Sequence, residues 1–418
     1  MKMVRASKAA RWAALAVTGA MALGSSALLS ACGGNAQAQA TPPVPSGPSG
    51  SLFWELSEAG PGSAIRQPPP GSKPGDILYA QERSDAPAGA RGWNVIYVSE
   101  IQPGTLKYVS GEIYAPTAPA TGQRDVVLWN HPTAGAADSC APSRTSMTNS
   151  PFRVPGMQVL IAQGNVVVAS DYVGLGVPGP AYYMAGQPNA RASLDMLRVA
   201  QKLPEANTSN RFVMYGWSQG GQTTMWAESI AKSYAPEFTG MGAALIAPAV
   251  RIRELTLRSM TQTSLAGYVI STLPGIKAYV PELKYGDFLT TEGLEQFPAM
   301  ADGCFDVWST ASTVQNPYQP NALVPGSPWW NAMTAVDNFS PSGSMPFVIY
   351  QGAEDDTTPV NLTLNERQAL CSAGSAVEYI QFPGLGHGSV VPEAANAFPA
   401  WAMARFKGEA AQSNCVAG

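Results

Sequence analysis

Charge is scarce in this chain. Charged residues make up 13% of its 418 residues, about half the usual share. The net charge of −4, with no basic cluster, leaves no electrostatic footprint for nucleic acid. Histidine is scarcer still: the whole chain holds two, His131 and His387. Of the five cysteines, no two form a Cys-x-x-Cys pair, and no His-Glu-x-x-His occurs. The common spaced ligand sets are therefore missing, and neither a metal nor another cofactor is expected. What is plentiful is apolar: 45% hydrophobic residues can build a sizeable core, and 41 Gly with 36 Pro imply many turns and long irregular connections.

The amino terminus bears on the compartment. Arg5, Lys8 and Arg11 precede a largely apolar run from Trp12 to Leu29, too short and too rich in small residues for a permanent span, so it reads as an export signal. The run ends in Leu29-Ser30-Ala31-Cys32, which resembles a bacterial lipobox. Residues 1–31 are thus read as a lipoprotein signal peptide, with Cys32 carrying the lipid that anchors the protein to the cell envelope. The alternative is ordinary secretion, with cleavage after Ala38-Gln39-Ala40. Residues 32–50, rich in Gly, Pro, Ala, Ser and Gln, suit a flexible tether. In an exported chain Cys140, Cys304, Cys371 and Cys415 form disulfides by default, with three connectivities open.

Short β-branched and aromatic runs predict strands at Trp93–Ser99, Val109–Tyr114, Asp125–Trp129, Val166–Ala169, Phe212–Tyr215, Ala243–Ile246, Phe347–Tyr350 and Val377–Gln381. Helical spacing marks Asn189–Leu203, 219–234 and Val360–Leu370. The alternation implies an α/β fold with a mostly parallel, doubly wound sheet. It stops between about Val250 and Pro346, where helical pieces are broken by Pro274, Pro281, Pro298 and Pro325 and three tryptophans occur, Trp308, Trp329 and Trp330. That stretch is too long for a simple loop. Residues 51–249 and 347–418 are read as the core and 250–346 as an inserted, mainly helical cap or lid.

The rest is organised around Arg211 to Gly221, in which Phe212-Val213-Met214-Tyr215 runs into Gly216-Trp217-Ser218-Gln219-Gly220. With 41 glycines, composition alone would give roughly 0.3 Gly-x-Ser-x-Gly pentapeptides by chance, so the context must carry it. A strand before and a helix after make Ser218 the nucleophile of a strand–turn–helix elbow, where glycines leave room for a strained turn. A serine needs a base, and in α/β-hydrolases the order along the chain is Ser, then an acid, then His. His387, in Gly384-Leu385-Gly386-His387-Gly388, is the histidine that follows Ser218. The acid belongs in Gln351 to Pro359, where Asp355 is favoured over Asp356 and Glu354 by resemblance to the Gly-x-x-Asp-x-x-x-Pro spacing of related hydrolases. An oxyanion would be held by backbone N–H groups: Gln219 supplies one, and Thr133 the other, because Pro132 has none. His131 then orients that loop.

With these residues placed, the chain resembles the secretory lipase family of α/β-hydrolases, the lipase-A-like group. The likeness runs through Pro74 to Leu78, Val109 to Gly111, His131 to Gly135 with Cys140 to Ser143, Asp171 to Gly176, Gly216 to Gly221 and Gly384 to Gly388. It implies a lid over an acyl-binding tunnel, small-molecule or lipid ester substrates, and disulfides Cys140–Cys304 and Cys371–Cys415. Asp171 and Tyr172 are candidates to line the pocket or, equally, for a structural role at the end of strand 166–169. The expected activity is a serine carboxylic-ester hydrolase working through an acyl-enzyme. The alternatives are a same-fold hydrolase of peptide or polyester bonds, or a non-catalytic ligand-binding lipoprotein.

Overall fold

Alternation of side chains along a strand sends neighbours to opposite faces, and a strand apolar on both faces must be covered twice. The computed structural model, which describes residues 67–145, 154–301, 303–308 and 315–415, meets that demand. The signal peptide, Cys32 and the 32–50 tether lie outside the described residues. The strands are β1 (Ile77–Glu82), β2 (Ala90–Gln102), β3 (Thr105–Pro116), β4 (Arg124–Asn130), β5 (Val166–Ser170), β6 (Thr208–Trp217), β7 (Thr239–Ile246), β8 (Phe347–Gly352) and β9 (Val377–Phe382). The helices are α1 (Met157–Ala162), α2 (Gly186–Lys202), α3 (Gln219–Tyr234), α4 (Ile252–Ser259), α5 (Ala266–Tyr279), α6 (Thr291–Ala301), α7 (Phe305–Trp308), α8 (Pro328–Val336), α9 (Val360–Ser372) and α10 (Val391–Phe406).

One sheet runs in the order β1-β2-β3-β5-β4-β6-β7-β8-β9. From β5 to β9 the neighbours are parallel, and the β1, β2, β3 edge is antiparallel. Along β4, Val126 and Leu128 join the core on the side of α2, α3 and α9, while Val127 and Trp129 join the core on the side of α1 and α10. On that second side the Tyr215 ring stacks on Phe398 at 3.9 Å, and its hydroxyl donates to the Pro155 carbonyl at 2.7 Å.

Every strand expected from the sequence is present; β1 was not foreseen. Its Ile77-Leu78-Tyr79-Ala80-Gln81-Glu82 lacks a clean apolar pattern, and pairing with β2 defines it. The helix α10 was also missed because Pro399 lies inside it. It persists because Ala394, Phe398, Ala402 and Phe406, spaced four apart, are all buried.

Between β7 and β8 the chain is helical, but two of the expected breaks are absent: Pro274 lies within α5 and Pro298 within α6. An interior proline costs about 3 kcal/mol, and tertiary packing offsets it. Gly267 and Gly275 let α5 sit against Trp308 and Tyr183, where an added Cβ would lie 2.1 Å from the carbonyl oxygen of either residue. Ile270, Leu273 and Ile276 of α5 share a buried cluster with Phe288, Trp329 and Met333. Pro281 and Pro325 fall between helices as expected.

The point where this segment departs is tied to the point where it returns. The Ile252 N–H, at the start of α4, donates to Asp337 Oδ2 at 2.8 Å, while Asp337 Oδ1 is buried with no partner among the described residues. Burial, with the Glu366 charge nearby, pushes the Asp337 carboxyl up to about 7. An unfolded aspartate titrates near 3.9. Between those values the native state keeps a proton that the unfolded state has released, so stability falls as pH rises through that window and the loss is complete above about 7. Asp337→Asn is therefore expected to raise the melting midpoint by about 2 °C at pH 8 and not at pH 4.5. Scanning fluorimetry at the two pH values checks this, and a pH-independent difference would refute it.

Candidate active site

A parallel sheet delivers its loops to one edge, at the carboxyl ends of its strands. Here four adjacent strands do so: β6 ends before Ser218, β7 before Ala247, β8 before Asp355 and β9 before His387. Ser218 sits at φ +55°, ψ −117°, between β6 and α3. Such backbone is strained for a residue with a side chain, and it is held by the Ser218 N–H donating to Ile246 O at 3.0 Å and by Ser218 O accepting from Ala249 N at 2.9 Å. The glycines are required by space: a Cβ on Gly216 would lie 2.1 Å from Gly220 O, and one on Gly220 would lie 1.9 Å from Asn130 O.

Asp355 and His387, 32 residues apart in sequence, are joined: His387 Nδ1 lies 2.9 Å from Asp355 Oδ2. The loop itself builds the acceptor. Asp355 Oδ1 takes N–H donors from Thr357 at 3.0 Å and Thr358 at 2.8 Å, an aspartate turning its own following backbone. Its Oδ2 accepts from the Thr358 hydroxyl at 2.8 Å and Gln351 Nε2 at 3.1 Å. Burial alone would raise this carboxyl, but the hydrogen bond and charge of His387, with the two Thr358 donors, outweigh it and hold Asp355 below its ordinary range. An ionised carboxylate requires a proton on Nδ1, which leaves Nε2 as an acceptor. Asp356 and Glu354 are exposed instead; the Asp356 carbonyl accepts from Arg258, and the Glu354 N–H donates to Leu385 O. The His387 ring also lies 5.6 Å from that of Trp217, the residue before Ser218.

The loop after β4 faces the same edge. Its Thr133 side chain lines one pocket together with Ser218, Thr357 and Thr358, and Thr133 Oγ1 pairs with the Tyr183 hydroxyl at 2.9 Å. No described residue accepts from the backbone N–H of Thr133 or Gln219. Gln219 opens α3, where the helix dipole favours negative charge. His131 is buried against Tyr172, with rings stacked at 4.1 Å; its ring nitrogens reach Pro132 O at 2.6 Å and Asp171 O at 3.2 Å, and burial lowers its pKa. It holds the loop and does not face the pocket.

Asp171 and Tyr172 do not line the Ser218 pocket. Asp171 is buried among the Ser110 and Ser143 hydroxyls, and the Tyr172 hydroxyl donates to His131 O at 2.9 Å. Both brace the loop from behind. Both disulfides expected from the resemblance are formed, with Cα atoms 5.4 Å apart in Cys140–Cys304 and 5.8 Å apart in Cys371–Cys415. The first, helped by Ala136 N to Gly303 O and Phe305 N to Ala134 O, pins the helical segment to the loop of Thr133. In the chain-entropy model the two bridges contribute about 5 and 4 kcal/mol.

The sequence reading missed Tyr183, Thr358 and the α4 side chains that complete the pocket. Only the Thr357-Thr358 pair after Asp355 carried a signal, as residues able to cap a turn.

A family model described as secretory lipase matches residues 154–414, well over half of the chain. The chain belongs to the secretory lipase family. Among relatives of this secretory lipase is the secreted triacylglycerol lipase LIP3 of Malassezia globosa, 25% identical over 321 residues, which are 71% of this chain and 69% of that protein. Lipase 5 of Candida albicans is 26% identical over 283 residues, 62% of this chain and 58% of that protein. In fold, Candida antarctica lipase A in its closed state superposes with a TM-score of 0.68 at 18% identity, covering 85% of this chain and 88% of that one. The rice cell wall degrading esterase LipA from Xanthomonas oryzae gives 0.65 at 18% identity, covering 80% and 98%. This secretory lipase thus has the α/β-hydrolase fold and is a lipase-like serine hydrolase.

Proposed function

We propose that this secretory lipase hydrolyses carboxylic esters through an acyl-enzyme on Ser218, with His387 as base and Asp355 as its orienting acid. The observation that carries the reading is the buried, ionised Asp355 hydrogen-bonded to His387 on a loop beside the strained turn of Ser218.

In this mechanism the Ser218 hydroxyl attacks the ester carbonyl while its proton passes to His387 Nε2. The N–H groups of Gln219 and Thr133 receive the charge that develops on the carbonyl oxygen. His387 returns the proton to the departing alcohol, leaving an acyl group on Ser218. Water, deprotonated by His387, then releases the carboxylic acid and regenerates the hydroxyl. Asp355 accepts from Nδ1 throughout and fixes the tautomer. Residues 250–346 act as a cap over the pocket. The pocket, about 470 Å³ counting its open mouth, is lined by α4 and α5 of that segment together with Ser218 and Thr133 of the core.

A lipid ester substrate and export from the cell rest on the named relatives and on the two disulfides. The relatives favour export without an anchor. Nothing in them supports a lipid on Cys32, and no helix among the described residues is long and apolar enough to cross a membrane.

The test is labelling of the full chain with a fluorophosphonate probe followed by peptide mass spectrometry. Modification at Ser218, lost after heat denaturation, is expected. A folded protein that takes no label would favour the non-catalytic ligand-binding reading.

A further inference from the structure

The helix α4 turns one face to the Ser218 pocket: Ile252, Leu255, Thr256 and Ser259, at i, i+3, i+4 and i+7, all line it. Half of that face is apolar, and half carries hydroxyls. Thr256 and Ser259 are 5% and 6% exposed.

Several other hydroxyls of the pocket are already engaged by the protein, while those of Thr357 and Tyr268 have no hydrogen-bond partner among the described residues. Thr272 Oγ1 donates to Tyr268 O one turn back at 2.8 Å, Thr133 pairs with Tyr183, and Thr358 serves Asp355. A buried serine or threonine in a helix ordinarily does what Thr272 does. Among the described residues, no group donates to or accepts from the Thr256 or Ser259 side chains. Neither oxygen is among the side-chain atoms sealed from solvent without a partner, so both hydroxyls open onto the pocket and are free to pair with an oxygen of a ligand that enters it.

Resting on the ester-hydrolase reading above, we propose that the acyl group taken by this pocket is an oxygenated one. It would carry a hydroxyl or carbonyl oxygen on an otherwise apolar chain, recognised by Thr256 and Ser259 and flanked by Ile252 and Leu255. The acyl half of the ester is the part assigned to the pocket because it stays bonded to Ser218 after the alcohol has gone. A space lined by both the cap and Ser218 can hold it through the second half of the reaction. A pocket of plain aliphatic side chains discriminates weakly against an added hydroxyl, whereas one built with hydrogen-bonding groups discriminates strongly against its absence.

The experiment measures kcat/KM for p-nitrophenyl hexanoate and for its 3-hydroxy and 6-hydroxy counterparts. In the parent enzyme at least one hydroxylated ester is expected to be favoured by about 10-fold. Thr256→Val and Ser259→Ala should each lower that ratio severalfold, and the double variant should abolish it. Thr256→Ser, which keeps the hydroxyl, should retain it. The ratio is internal to each protein, so a loss of folded enzyme does not alter it. A parent that prefers plain hexanoate, or a ratio unmoved in both Val and Ala variants, overturns the proposal. If Ser218 is labelled by a fluorophosphonate in such a parent, the oxygenated-acyl inference alone has failed. If Ser218 is not labelled, the underlying mechanism has failed too.

Discussion

Ser218→Ala is expected to lower kcat for p-nitrophenyl butyrate by about 10⁵- to 10⁶-fold, to the small residue of rate supplied by binding and oxyanion stabilisation alone. The size follows from the role. Without the hydroxyl no acyl-enzyme can form, and His387 has nothing to deprotonate but water held in the wrong place. The fold should survive. Ser218 has φ +55°, and its backbone contacts to Ile246 and Ala249 do not involve the side chain, so the melting midpoint should shift by no more than about 2 °C. Burst kinetics and thermal melts on the same preparations check both halves. Retention of more than about one-hundredth of the parent rate in a well-folded variant would remove Ser218 from the chemistry.

The second large effect concerns the acid. Asp355→Asn is expected to lower kcat by about 10⁴-fold, the scale seen when the acid of such a triad is made neutral. The amide can still accept from the Thr357 and Thr358 N–H groups through its oxygen. The nitrogen that faces His387 then donates, forcing the proton from Nδ1 to Nε2 and leaving Ser218 with no base. Asp356→Asn should change kcat by less than about 3-fold, because Asp356 is exposed and engages Arg258 only through its carbonyl. The contrast between adjacent residues is informative because both substitutions remove one negative charge from the same loop. Equal losses would mean that the charge of the loop matters and the geometry does not. The reverse order would move the role to Asp356. Because Asp355 is held below its ordinary range, this carboxyl should add no titration to the parent's pH–rate profile within or above the usual carboxylate range.

Between them these experiments separate the parts of the site that could be read along the chain from those that could not. The elbow at Gly216 to Gly220 was legible because its requirements are local: a strand, glycines at the crowded positions and a helix start all lie within a few residues of Ser218. His387 was legible by scarcity, since only one histidine follows the serine. Among the eight expected strands, the central parallel ones, β4 to β8, were legible because strands buried on both faces are continuously apolar, and the others by their β-branched and aromatic residues. The edge strand β1, the helix α10 and the continuation of α5 and α6 through Pro274 and Pro298 were not. Their existence depends on what they pack against, and tertiary contacts can outweigh a local breaker.

By itself, then, the sequence determined which side chains are proposed for the chemistry, because a hydroxyl at a glycine elbow, a lone following imidazole and a short acidic loop are properties of residue identity and order. Tertiary structure alone decided which carboxylate reaches the imidazole. Asp355 and Asp356 are chemically identical neighbours, and the choice is made by a turn that directs one inward to Thr358 and His387 and leaves the other exposed. It also decided what surrounds the serine. The pocket face of α4, with its two unengaged hydroxyls, exists only because a segment whose two ends are tied together through Ile252 and Asp337, and which is stapled to the core through Cys304, folds back over the end of the sheet. That closure depends on contacts between residues far apart in the chain, which no local pattern encodes.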